Sequence, residues 1–219
     1  ISLFIYLKDR YNREPWRALL FSFLLGMISI VPAIALEMTS GITVEGFVGQ
    51  SVQRVALEAF GVVALSEEGC KLAMVLLYAF RSRHFDDPFD GIVYAVMVSM
   101  GFATLENIGY VMNGGYATAI LRMFLSVPAH ACFGVLMGYY LGLAKFDAGR
   151  RPLHLLRSLA WPVLFHGAFD FFLFLGYPLL QIAGALASFV IALRLSRKAI
   201  RQHQALSANH ASGRNDYDK

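Results

Sequence analysis

Long apolar runs separated by short charged stretches dominate the chain. Ala18 to Leu36, Met123 to Ala144 and Phe171 to Leu193 contain no charged residue. A bilayer core of about 30 Å needs about 20 apolar residues of helix, so these runs predict membrane-crossing helices. Extending the same reading to the remaining apolar segments predicts spans at 17–37, 54–80, 90–113, 118–144, 156–176 and 177–195. Ile1 to Leu7 is apolar but too short to cross. With no Met at its start, it reads as the end of a further span whose upstream half precedes Ile1. It lacks the basic n-region and small-residue cleavage site of a signal peptide. The expected fold class is all-α, a polytopic transmembrane bundle of about seven spans with the first truncated. The expected domains are a transmembrane unit over 1–195 and a polar cytoplasmic tail over 196–219, frayed from Gln202 onward.

Composition agrees with the pattern. Hydrophobic residues make up 57% and charged residues 16%, against about 45–50% and about 25% in soluble domains. A soluble fold of this size could not hide so much apolar surface. A disordered chain, a nucleic-acid-binding module and a disulfide scaffold are all excluded, and Cys70 and Cys132 lie inside apolar runs. Charge then sets the sidedness. Lys8, Arg10, Arg13, Arg17, Arg81 and Arg83 fall on one side, with Lys145, Arg150, Arg151, Arg157 and the group from Arg194 to Arg201. The opposite loops, 38–53 and 114–117, contain no Lys or Arg, although Arg54 and Arg122 sit at their helix edges. Positive residues mark the cytoplasmic side, so the C-terminus is expected in the cytosol of a multi-pass cell-membrane protein.

The candidate chemistry lies where charge is most expensive. Predicted span 54–80 carries Glu67, Glu68 and Lys71. Span 90–113 carries Phe102 and Glu106, span 118–144 carries His130, and span 156–176 carries His166 and Asp170. An ionised group at mid-bilayer costs about 2.5–3.5 kcal/mol even on the lenient scale, and marks a functional site by default. At 1.5 Å per residue, Glu67, Glu106, His130 and Asp170 all lie about 20–24 Å above the cytoplasmic charge on their own helix. They therefore form one layer displaced toward the outer side. Lys71 can pair with Glu67 at i,i+4 or with Glu68 at i,i+3. The adjacent carboxylates repel, so the pair is expected to retain a proton and to serve as a general base. His130, Gly134, Gly138 and Gly142 recur every fourth residue, which places His130 on a close-packed, protein-facing stripe.

Each group has a plainer explanation when taken alone: an internal ion pair for Glu67 and Lys71, an interhelical hydrogen bond for His130, packing for Phe102 and the cysteines. Glu37 and Glu58 read as boundary residues served by water or Arg54. His84, His154, His203 and His210 read as solvated cytoplasmic residues.

Together the groups resemble a known family. Glu67-Glu68 followed by Lys71 resembles the E-E-x-x-K motif of PrsW-type intramembrane proteases. Phe102 with Glu106 resembles their F-x-x-x-E motif, His130 their lone histidine, and His166 with Asp170 their H-x-x-x-D/N motif. Lys8-Asp9-Arg10-Tyr11 followed by Glu14-Pro15 resembles the family's first loop. The likeness runs from Lys8 to about Arg197, without departure at the motif positions. It implies kinship with the CAAX-processing and Abi membrane proteases. It also implies site-1 cleavage of a single-span, membrane-anchored protein, an anti-sigma factor, near the outer half of a bacterial inner membrane, in a stress response.

Two mechanisms fit the residues. In one, Glu67 or Glu68 activates water while Lys71, Glu106, His130, His166 and Asp170 complete the catalytic set. In the other, His130, His166 and a carboxylate, Asp170 or Glu106, hold Zn²⁺. The cofactor is left open, with zinc the candidate, because no H-E-x-x-H pair is present. A proton- or cation-coupled transporter is the alternative class, although no repeated halves are visible. A haem carrier using His130 and His166 would leave Glu67, Glu68 and Lys71 unexplained. The expected partners are the lipid bilayer and a single-span protein substrate, with no nucleic acid.

Overall fold

The computed structural model describes residues 1–9, 13–47 and 51–212; Arg10 and Tyr11 of the first-loop motif, part of the predicted loop 38–53 and the end of the tail lie outside the described residues. Every regular element among the described residues is helical. In order these are α1 (Ser2–Lys8), α2 (Trp16–Ile28), α3 (Ile30–Phe47), α4 (Val52–Ala56), a π-helical segment (Leu57–Ala64) and α5 (Leu65–Leu77). A 3-10 turn (Ala79–Arg81) follows, then α6 (Asp90–Phe124), α7 (Ser126–Phe146), α8 (Arg151–Phe174) and α9 (Pro178–Ala211). Four stretches among the described residues are long and apolar enough to cross a membrane: Trp16–Thr39, Asp90–Met112, Arg122–Phe146 and Pro178–His210. The stretch 52–77 and α8 are not among them. These two carry Glu67, Glu68 and Lys71, and Arg157, His166 and Asp170, so the polar groups of interest are what lower their apolarity.

Prolines accompany two of the joints between long helices, although α8 continues through Pro162. Pro32 has no N–H, and its ring crowds the carbonyl four residues earlier, that of Ile28. α2 accordingly ends at Ile28, and Ser29 joins it to α3. Pro128 stands in the same relation to Phe124, the last residue of α6, and Leu125 forms the joint to α7. Around the outer loop expected at 114–117 helical hydrogen bonding continues to Phe124, but the chain turns back. Arg122 meets Glu106 and Asn107, which about 22–24 Å of straight helix would hold apart, and Asp90–Met112 and Arg122–Phe146 are separate membrane-length stretches.

α6 is the centre of the bundle. Ile92, Tyr94, Val96 and Phe102 are all buried, with α2 on one flank and α7 on the other. Apolar burial cannot drive helix association within lipid, so close backbone approach must supply it. A Cβ on Gly138 would collide with the Gly91 backbone, and one on Gly101 with the Phe23 carbonyl. The stripe of His130, Gly134 and Gly138 is the face that α7 turns toward α6, and the Ser99 hydroxyl donates to the His130 carbonyl at 2.7 Å.

The C-terminal segment differs from expectation. α9 does not stop near 195 or fray from Gln202; it continues to Ala211. His203 is buried, with Nδ1 2.7 Å from the Pro88 carbonyl. Gln204 donates to the Lys8 carbonyl at 2.8 Å, and Ser207 donates to Asp87. His154 is also buried, 3.2 Å from Asp147, so neither histidine is the solvated residue that polarity alone implied.

Candidate active site

The site grows from the face of α5. Helical spacing brings Lys71 back over the preceding turn, and its ammonium donates to Glu67 Oε2 at 3.0 Å and Glu68 Oε1 at 2.8 Å. Glu68 and Lys71 are completely buried, and Glu67 is 5% exposed. The ammonium also lies 3.3 Å from His130 Nδ1 and 3.9 Å from the centre of the Phe102 ring. Phe102, expected to be packing, thus also offers its π face to the buried cation. The π-helical turn immediately upstream is of a kind found mostly at functional positions.

α8 supplies the second wall. The Phe60 ring of the π-helical segment occupies the space that a Cβ on Gly167 would need, and this close contact draws the adjacent His166 toward α5. His166 Nδ1 lies 2.8 Å from Glu68 Oε1, and its Nε2 lies 3.2 Å from Asp170 Oδ2. Phe133 stacks on the His166 ring at 5.0 Å, and the two imidazoles meet edge to face at 5.1 Å. From α6, Glu106 Oε2 reaches His130 Nε2 at 3.0 Å.

The structure therefore brings Glu67, Glu68, Lys71, Glu106, His130, His166 and Asp170 into one connected network. They surround a cavity of about 280 Å³, lined among others by Glu37, Glu67, Glu106, His130, His166 and Asp170. Two participants were not recognised in the sequence. Arg122 pairs with Glu106 at 2.7 Å, donates to Asn107 at 3.2 Å and covers the Tyr110 ring at 3.7 Å. It looked like an edge residue because the loop was expected at 114–117. The turn expected at 114–117 is itself the cue, since a chain that folds back there returns Arg122 toward Asn107, about 22 Å away along a straight helix. Glu37, assigned to the outer boundary, lines the cavity and accepts from the Ser66 hydroxyl at 3.2 Å.

Five acids, Glu37, Glu67, Glu68, Glu106 and Asp170, face two fixed cations, Lys71 and Arg122. Protons or a cation must offset the excess negative charge in this low-dielectric setting. The donors suit a metal ion. One atom each from Glu67, Glu68, His130 and His166 lie within 4.8 Å of one another. Glu68 Oε2 is buried with no hydrogen-bond partner. Each imidazole turns one nitrogen toward this cluster and the other toward an outside carboxylate, Glu106 for His130 and Asp170 for His166. That carboxylate–histidine arrangement orients metal ligands in zinc sites. Lys71 touches three of the four donors and competes with a cation for them.

A helical membrane bundle that encloses paired carboxylates, two imidazoles and a polar chamber has the layout of a hydrolase working inside the bilayer. The profile of the PrsW family of intramembrane metalloproteases matches residues 14–196. The protease PrsW of Geobacillus kaustophilus is 41% identical over 170 residues, 78% of this chain and 73% of that protein. The protease PrsW of Bacillus subtilis is 39% identical over 171 residues, covering 78% and 76%. That of Oceanobacillus iheyensis is 34% identical over 197 residues, covering 89% and 88%. No solved structure matches. The chain belongs to the PrsW family: it is a multi-pass membrane protein and an intramembrane protease. The transporter and haem-carrier alternatives fall with that membership.

Proposed function

We propose that this protease makes the first cut in a single-span, membrane-anchored anti-sigma factor, in the outer half of a bacterial inner membrane. About seven spans, the first represented by α1, would leave the C-terminus in the cytosol. The clustering of Lys and Arg on the loops joining α1 to α2, α5 to α6 and α7 to α8 supports this orientation. The outward displacement of the polar layer supports the side of cleavage.

One observation carries the chemical reading. Glu67 fronts the cavity, whereas Glu68 is fully buried behind it between Lys71 and His166. Glu67 is therefore the general base: it takes a proton from water as the oxygen attacks the scissile carbonyl, then passes the proton to the departing amine. Lys71 stabilises the carboxylate pair. Glu106, held by Arg122, fixes the ring of His130, and Asp170 fixes that of His166. Each ring is thereby fixed with its Nδ1 turned toward the cluster of Glu67, Glu68 and Lys71. His130, His166 and Glu68 would hold zinc, which when bound would polarise the carbonyl and acidify the water.

The test is cleavage of candidate single-span proteins by purified protease in liposomes. Glu67→Gln keeps the shape but loses the proton acceptor, so it should lower the rate about 10²–10⁴-fold with the fold intact. Elemental analysis beside activity in chelator tests the metal, and His130→Ala should lose it. Full activity in metal-free protein would exclude zinc, and undiminished cleavage by Glu67→Gln would exclude the base assignment.

A further inference from the structure

A second hollow adjoins the catalytic cavity. It is a groove of about 690 Å³ between the C-terminal end of α6, the start of α7 and the helices α8 and α9. Ile120, Phe124, Ile182 and Leu186 give it apolar, exposed walls. Tyr110, Arg122, Ser126, Phe169 and Leu173 line both the groove and the catalytic cavity, so the two are continuous. Another apolar groove, about 530 Å³ between α1, α7 and α9, shares no lining residue with the cavity. Of these two grooves, the first is the one that shares walls with the catalytic cavity.

We propose that this groove receives the membrane-spanning segment of the protein substrate and feeds it, unwound, into the catalytic cavity. The proposal rests on the proteolytic reading above and adds the route. Its apolar outer wall suits residues that would otherwise face lipid. Its inner end changes to Arg122, Ser126 and Tyr110, which suits peptide N–H and C=O groups freed from a helix and needing partners. Unwinding is what the chemistry needs, because a carbonyl within a helix is hydrogen-bonded to the N–H four residues on and must be freed before water can attack it near Glu67. Leu125 and Ser126, at the joint between α6 and α7, form part of the groove wall.

The experiment uses Ile182→Cys and Leu186→Cys variants in liposomes, with a single-span protein that the wild type cleaves as the probe. Each cysteine is capped with a bulky, reducible methanethiosulfonate. Leu156→Cys on α8, 64% exposed and away from the groove, is the positional control. Wild type treated with the same reagent controls for Cys70 and Cys132. Capping at 182 or 186 should lower kcat/KM at least tenfold, chiefly through KM, and reductant should restore it. Capping at 156 should change it less than twofold. Restoration by reductant separates a blocked groove from a misfolded variant. Equal effects at all three positions, or none at 182 and 186, would overturn the route while leaving the protease reading intact. Capping that spares cleavage but releases co-purified phospholipid would make the groove an acyl-chain site and also overturn it. Failure of the wild type to cleave any single-span probe would remove the single-span substrate reading and this route with it.

Discussion

Lys71 governs the electrostatics of the site. A fully buried ammonium is tolerable only because two carboxylates and an aromatic face surround it, and those carboxylates are tolerable only because of the ammonium. Removing one partner of a buried pair costs about 3–5 kcal/mol, since the other charge stays behind. Lys71→Met should therefore lower the melting temperature in detergent, and adding Glu68→Gln should recover part of the loss. Glu14, just before α2, has a different signature. Burial pushes its carboxyl from 4.5 to about 7, despite the lowering effect of a hydrogen bond from Tyr94. Between those values the native state holds a proton that the unfolded chain has released, so this residue's contribution to stability falls as pH rises. Wild type should lose melting temperature relative to Glu14→Gln between pH 5 and 8, and an unchanging difference would count against it. The seven polar residues of the predicted catalytic set were visible in the sequence because charge within apolar runs demands a reason. Arg122 and Glu37 were hidden because both lay beside loops whose limits hydropathy places poorly.

At the scale of the element, two joints follow proline and the close contacts follow glycine, while α8 runs through Pro162. The apolar pattern placed the reversal between two spans near Gly114-Gly115, but it did not register the second joint ahead of Pro128. The joint is a steric event between Pro128 and a carbonyl one turn earlier, which hydropathy does not register. The four-residue stripe on α7 was legible because close packing in lipid requires small residues. Gly138→Leu should destabilise by at least about 1–3 kcal/mol, since the facing atoms belong to the Gly91 backbone rather than to a yielding side chain. Thermal unfolding beside Gly149→Leu, where no such backbone lies close, checks this. Equal stability of the two variants would contradict the close approach.

On the scale of the whole molecule, the last helix fastens the Lys- and Arg-rich side of the bundle together. His203, Gln204 and Ser207 tie α9 to Pro88, Lys8 and Asp87, elements far apart in the chain. Polarity made this stretch look like a solvated tail, because one polar face of an amphipathic helix reads much like a disordered segment. Truncation after Arg201 should lower the melting temperature and quicken proteolytic nicking between Phe85 and Asp90. If both stay unchanged, the docking contributes nothing to stability.

The order in which the ribosome delivers these pieces adds a further consequence. Glu67 and Glu106 emerge early, but His166 comes about a hundred residues after the carboxylates it meets, and Gln204 later still. Domains form N-terminal first during synthesis, at about 5–20 residues per second. A nascent chain therefore enters the membrane with its carboxylates exposed to no histidine from α8. The constellation cannot assemble for seconds, until α8 has been made. Its discontinuity in sequence thus sets a delay between entry into the membrane and completion of the cluster.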